Sequence, residues 1–345
     1  MNRRRVLILG GTVIAILMGA LLVLSGSGDR RPVTTPSASP SLLPSQAVTA
    51  VSATSLKFTV DYPGISRDGT LYFATNRDTA LATAKADGSG FQLITPQRFR
   101  SLKSVAWSPD ASRAVLKDAT GGTYLFNTAA RDLQPLNQKI DNAVWAPDNL
   151  RFAMTFEGQP QIYDVRTGRG EAVKGLNIGN RFAWSADGTK LAIYVAVEEG
   201  TEQSGGSLRI YDLANKTIGE ELAGGVVNAG WFTDGTRLVV AVKKGNQRST
   251  KVIGTDRSTR DLEGPAEFGT AAIDGKRVLL TGRQSGANAN QVAADDSLWS
   301  VTPDGTVQQL AELDKHAMAT QLIGRQLYVV TNAQLYRIDL GASNG

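Results

Sequence analysis

Short apolar runs, each closed by a polar turn, fill the chain from Ser55 onward, and one phrase punctuates them. Its clearest copy is Arg181-Phe182-Ala183-Trp184-Ser185-Ala186-Asp187-Gly188, with Lys190-Leu191-Ala192-Ile193 close behind. An apolar run ends in Trp, a Ser-x-Asp-Gly turn follows, and a second β-prone run begins at once. Asp-Gly between two apolar runs predicts a hairpin, because Gly tolerates positive φ and Asp bonds its own backbone. The phrase recurs as Trp107 before Ser108-Pro109-Asp110, Trp145 before Ala146-Pro147-Asp148, and Trp231 before Phe232-Thr233-Asp234-Gly235. Weaker copies without the Trp are Ser66-Arg67-Asp68-Gly69 and Ala272-Ile273-Asp274-Gly275. With 66, 108, 146, 185, 232 and 272 as phase marks, the steps are 42, 38, 39, 47 and 40 residues. A period near 40 with several short strands per unit is the signature of propeller blades.

The unit around Trp184 predicts four strands: Arg181–Trp184, Lys190–Val197, Ser207–Leu213 and Thr217–Leu222. The unit before it repeats the pattern from Asn142 to Val173. The last unit is short, with three runs at Met318–Leu322, Gln326–Val330 and Gln334–Asp339. An orphan strand, Ser55–Asp61, alternates apolar and polar residues at the other end. Ring closure predicts that it completes the last blade and so removes an exposed edge. The expected fold is all-β: a propeller of seven four-stranded blades over 55–340, with six as the alternative, and a tail at 341–345.

The repeated Trp-Ser-Pro-Asp and Trp-Ser-Ala-Asp-Gly phrases resemble those of the TolB-type, WD-like β-propeller family. The resemblance is sharp at 107–111, 145–149, 184–188 and 231–235 and implies an extracytoplasmic propeller that binds protein partners or accompanies an enzyme domain. The extra α/β domain that precedes the TolB propeller has no counterpart here.

The N-terminus changes the picture. Arg3, Arg4 and Arg5 precede Val6–Leu24, an uncharged apolar run of about the length that spans a bilayer. Basic residues ahead of the run place residues 1–5 in the cytoplasm and the propeller outside it. Ser25-Gly26-Ser27 offers a cleavage site, so a secreted product after signal cleavage is the alternative. Residues 25–54, rich in Pro, Ser, Thr and Ala, read as a disordered linker.

Charge and composition narrow the chemistry. The net charge is +5, but Arg3, Arg4, Arg5, Arg30 and Arg31 against Asp29 supply most of it. The folded part is nearly neutral, which argues against a nucleic-acid partner. There is no cysteine and one histidine, His316, which excludes disulfides, thiolate sites and multi-histidine metal sites. No Gly-x-Ser-x-Gly elbow and no phosphate loop occur. Asp295-Asp296 alone is poor evidence for a Ca²⁺ cage. Turn aspartates Asp68, Asp110, Asp148, Asp187, Asp234 and Asp274 fit a structural role, each accepting nearby backbone N–H groups. Trp107, Trp145, Trp184 and Trp231 fit wedges between blades.

The expectation is a membrane-tethered binding or scaffold propeller, without cofactor or metal, whose partner is a protein or cell-wall component. The alternative is a propeller enzyme acting on glycan or peptide in the central funnel. Loops joining second to third strands share a face with the between-blade connections, and insertions gather on binding faces. The long ones are Glu198–Gly206, Lys243–Ser249 and Arg283–Asp296. The binding candidates are therefore Glu198, Glu199, Lys243, Lys244, Arg248 and Arg283, with the between-blade segment Arg98, Phe99 and Arg100, an aromatic flanked by guanidinium groups.

Overall fold

The computed structural model describes residues 48–75, 80–95, 99, 101–136, 139–176, 181–195, 206–245, 247–284, 296–313 and 316–340. The chain divides into two compact units, Met1–Ser45 and Gln46–Gly345; the first, with the Val6–Leu24 run, lies outside the described residues. Among the described residues there are strands and turns only, and no helix is long and apolar enough to cross a membrane.

The described chain opens on strand β1 (Val48–Ser55). The first sheet then runs β2 (Asp61–Ile65), β3 (Leu71–Thr75), β4 (Ala80–Ala84) and β5 (Gln92–Leu93). The second is β6 (Leu102–Trp107), β7 (Arg113–Asp118), β8 (Thr123–Asn127) and β9 (Asp132–Leu136). The third is β10 (Ile140–Trp145), β11 (Arg151–Phe156), β12 (Gln159–Asp164) and β13 (Arg169–Ala172). An eight-stranded sheet follows. It begins with β14 (Arg181–Trp184), β15 (Lys190–Tyr194), β16 (Gly206–Asp212) and β17 (Thr217–Ile218). It continues with β18 (Ala223–Trp231), β19 (Arg237–Lys244), β20 (Gln247–Gly254) and β21 (Thr259–Asp261). The next sheet is β22 (Pro265–Asp274), β23 (Arg277–Gln284), β24 (Ser297–Val301) and β25 (Val307–Glu312). The last holds β26 (Ala319–Ile323), β27 (Gln326–Val330) and β28 (Gln334–Leu340), with β1 beside β28.

All pairings within the sheets are antiparallel, and the first strands touch in one closed cycle, β2–β6–β10–β14–β18–β22–β26 and back to β2. The fold is a β-propeller. Five separate four-stranded sheets and one of eight stand where seven separate four-stranded blades were expected. The physical reason is the shortness of β17. Its two residues pair only Tyr211 and Asp212 of β16, and the start of β18 takes the free stretch of that edge at Gly206↔Val226 and Leu208↔Ala223.

Closure takes place, but not through Ser55–Asp61. The strand that completes the last sheet is β1, in register from Val48↔Leu340 to Ser55↔Gln334. It lies upstream of the expected segment, in residues read as linker. The outer strand of a blade bonds through its backbone and leaves its outer side in water, so a Ser/Thr/Ala-rich sequence serves. Ser55–Asp61 instead crosses from the last sheet to the first. Leu56 and Val60 donate backbone N–H to Ala333 and Asn332, and Phe58 stacks on Phe73 at 4.9 Å. The expected loop Lys243–Ser249 is also corrected: it is a tight β19–β20 hairpin turning at Gly245 (φ +59°).

The core lies between neighbouring sheets. Each tryptophan in the repeated phrase ends a first strand and donates its indole N–H to the first strand of the unit before. Trp107 bonds Tyr62 O at 2.7 Å, Trp145 bonds Ala106 O at 2.8 Å, and Trp184 and Trp231 bond Val144 O and Ala183 O at 2.9 Å. A large apolar body with one donor satisfies the seam twice, by burial and by capping a carbonyl.

Candidate functional site

The first strands all run the same way, so the ring has an upper face, where they begin, and a lower face, where the Asp-bearing turns lie. The six turn aspartates are spread around the lower face. Asp187 accepts from the Ser185 hydroxyl at 2.6 Å and Thr189 N–H at 3.0 Å, and Asp68 from Ser66 and Thr70 N–H in the same way. Asp110 takes Ser108 Oγ–H and Ser112 N–H. Asp148 and Asp234 each take two backbone N–H groups and the Nε–H of Arg151 or Arg237, and Asp274 takes Arg277 Nε–H at 2.6 Å.

These bonds tune the carboxylates. The Ser185 hydroxyl and then Thr189 N–H hold Asp187 below the usual carboxylate range. At Asp110, Asp148 and Asp234 burial is the largest influence and pushes upward, yet the donors together outweigh it. On an outer turn, Arg166 pulls Asp164 down to about 2. A carboxylate whose folded pKa is depressed stabilises the fold above its unfolded pKa and loses that contribution as pH falls through the folded value. The melting temperature should therefore hold steady above pH 5 and fall between about pH 4 and 2, and Asp187→Asn should flatten part of that fall. A melting profile with its steep decline near pH 6 would exclude these turns as the acid-labile element.

The upper face carries the other candidates. Lys243, Lys244 and Arg248 stand on the β19–β20 hairpin, where Lys243 lies directly across from Arg248. Phe99 corrects an expectation: it is only 8% exposed and packs with Leu102, Leu116 and Phe126, its ring 5.9 Å from Tyr124. A side chain that plugs the groove between two sheets is not available to a partner. Arg98, Arg100, Glu198 and Glu199 lie outside the described residues, as does the side chain of Arg283.

Polar side chains ring the axis on this face. Lys117 of β7 pairs with Asp141 of β10, and Arg181 donates to Asn142 Oδ1 at 2.7 Å. The Tyr194 hydroxyl donates to Asn228, whose amide donates to Phe268 O at 2.7 Å. Burial pushes the Tyr194 phenol up to about 12, so it stays a donor at any physiological pH. The first strands bulge at this level: the register shifts between Asp61 and Gly64, Leu102 and Ser104, Asp141 and Val144, and Val226 and Asn228. Bulges bend a strand and re-aim its side chains, and here they recur around one mouth.

Between β22, β26, β2 and β6 this mouth deepens into a cavity of about 410 Å³. Tyr62, Pro63 and Val105 form one wall; Gly269 and the segment His316–Met318 form the other. His316, the single histidine, has a partner in space. Its Nδ1 lies 2.9 Å from Asp296 Oδ2, and the Asp296 side chain is 1% exposed. The same oxygen accepts Ala317 N–H at 2.8 Å. Sequence reasoning missed this pairing because twenty positions separate the two residues. The usable signal was topological: the loop before β24 and the connection before β26 emerge on the same face. No group of three or more metal-ligating side chains occurs among the described residues.

No protein-family model matches the chain, and no curated protein matches it. Solved structures do. A chain in the crystal structure of a mitotic checkpoint complex aligns with a TM-score of 0.56 and 14% identity, over 94% of this chain and 99% of that one. At that identity the likeness establishes the propeller fold, and only the fold.

Proposed function

We propose that this chain is a protein-binding propeller that works by presenting its upper face rather than by catalysis. The observation that carries the reading is the charge on that face. Lys243, Lys244 and Arg248 are gathered on one hairpin, with Lys103, Lys117 and Arg181 nearer the axis and Asp141 set against Lys117. An acidic partner would complement such a cationic cluster, and charge complementarity sets encounter rate and orientation. The partner would be an acidic segment of a protein or cell-envelope component. The aligned propeller belongs to a multiprotein complex, which is consistent with this role. In the same reading Val6–Leu24 tethers the propeller outside the cytoplasm, with secretion after cleavage as the other arrangement. The closed cycle of first strands further supports counting the eight-stranded sheet as two blades bridged at β16 and β18, seven blades in all.

Photocrosslinked capture from detergent-solubilised membranes tests the proposal. Combined Lys243→Glu, Lys244→Glu and Arg248→Glu should cut recovery of the partner about tenfold or more, and raised salt should weaken the parent's capture. If capture survives charge reversal but is lost on altering the lower-face turns, the binding face has been misplaced.

A further inference from the structure

We infer that the cavity at the upper mouth of the axis is a binding site for an aromatic ring carrying one hydrogen-bond donor, a phenol or an indole. The inference rests on the protein-binding reading for its source, a Tyr or Trp side chain of the partner.

The walls decide the body of the ligand. Tyr62, Pro63, Val105, Ala317 and Met318 present rings, alkyl groups and a thioether. The open cleft, about 410 Å³, admits one flat ring.

The hydrogen bonds decide its polar end. The protons nearest the cavity are already committed: Ala317 N–H to Asp296, Met318 N–H to Val330 O at 2.7 Å, and the Tyr62 hydroxyl proton to Lys103 O at 3.0 Å. Pro63 has no N–H. His316 Nδ1 lies against the buried carboxylate of Asp296, so the free ring nitrogen is Nε2, an acceptor in the neutral imidazole. Nε2 makes no hydrogen bond among the described residues, and the side chain is 57% exposed. An open cleft that combines apolar side chains with an imidazole acceptor suits a flat ring with one donor. Aromatic anchors that enter central pockets are the groups that dominate protein interfaces.

Gly269 keeps the slot open. A Cβ there would sit 3.6 Å from His316 Cε1, an ordinary contact, and the backbone is not in the left-handed region. Larger side chains at 269 can therefore fold while filling the space in front of the imidazole.

His316 is the chain's single histidine, so its imidazole nitrogens are an unambiguous NMR reporter in the full chain. Titration with p-cresol should move the Nε2 signal saturably, with affinity several-fold above that of toluene, as one hydrogen bond of about 1 kcal/mol predicts. Gly269→Leu should abolish the shift, and Asp296→Asn should erase the preference for p-cresol. Absence of a saturable shift, equal binding of toluene, or an unchanged response in Gly269→Leu would each overturn the site. Partner capture by Gly269→Leu separates the sources: lost capture identifies a side chain of the partner, and full capture with p-cresol binding intact in the parent identifies a free aromatic molecule. Because p-cresol binding is read without a partner, the cavity can fail while charge-dependent capture stands, and the reverse.

Discussion

Deleting Val48–Ser55 from the full chain lowers the melting temperature by on the order of 10 °C and broadens the transition. The strand β1 is the only covalently distant piece of the last sheet: it comes from the start of the described chain, whereas β26, β27 and β28 come from the end. It pairs along the whole of β28. Without it, the side chains of Leu335, Ile338 and Leu340, now 3%, 0% and 5% exposed, lose cover on one side. Partial exposure of three such side chains costs about 3–4 kcal/mol. In a domain of this size each kcal/mol shifts the midpoint by roughly 2–4 °C. Lost hydrogen bonds add little, because the freed edge of β28 is taken up by water. The same deletion leaves an edge that invites pairing with a second molecule, so oligomers should appear in sedimentation. A deleted chain that melts within 2 °C of the parent and stays monomeric would show that the ring does not depend on this clasp.

The architecture was legible in the sequence because its determinants are local. Trp ending one run, Asp in the turn and an apolar run behind it mark the first two strands of a unit, and β14 and β15 fall where Trp184 and Asp187 place them. What the sequence left unread depends on partners far along the chain. Leu56, Phe58 and Val60 do turn inward, as the alternation in Ser55–Asp61 requires, but alternation says nothing about which backbone the segment bonds. The clasp β1 has mostly exposed side chains and no apolar pattern to betray it. The merging of two units into one sheet came from the brevity of β17, a quantity no residue type announces. Phe99 was read as a surface anchor from its arginine neighbours, although an aromatic beside a strand start is as easily a plug. The His316–Asp296 pair needed the ring to be closed before its members could meet.

The second large effect belongs to the tryptophan seams. Trp145, Trp184 and Trp231 are 6%, 9% and 3% exposed, and each ties its sheet to the one before through a single indole N–H. Replacing any one with Ala should cost about 3–5 kcal/mol, from the cavity left between sheets and the carbonyl left uncapped. Trp184→Ala should also remove the ring against the guanidinium of Arg151, which lies 5.6 Å from the Trp184 ring centre. Phe at these positions should recover part of the packing but not the bond, so it should fall between Trp and Ala in urea denaturation. The fourth seam allows a sharper test. Trp107 lies directly on Gly64 of β2, and a Cβ at that glycine would stand 2.7 Å from Cδ1 and 2.8 Å from Cβ of the tryptophan. Gly64 has ordinary backbone angles, so the ring, not the turn geometry, excludes a side chain there. Gly64→Ala alone should then cost about 1–3 kcal/mol by forcing the indole off its bond to Tyr62 O. In a Trp107→Ala background the same change should cost clearly less, because the ring atoms it struck are gone and only the Cβ at 107 remains beside it. A double-mutant cycle that reads a coupling of about 1 kcal/mol or more supports the seam as drawn, and strict additivity would mean that the glycine is required for some reason other than the wedge.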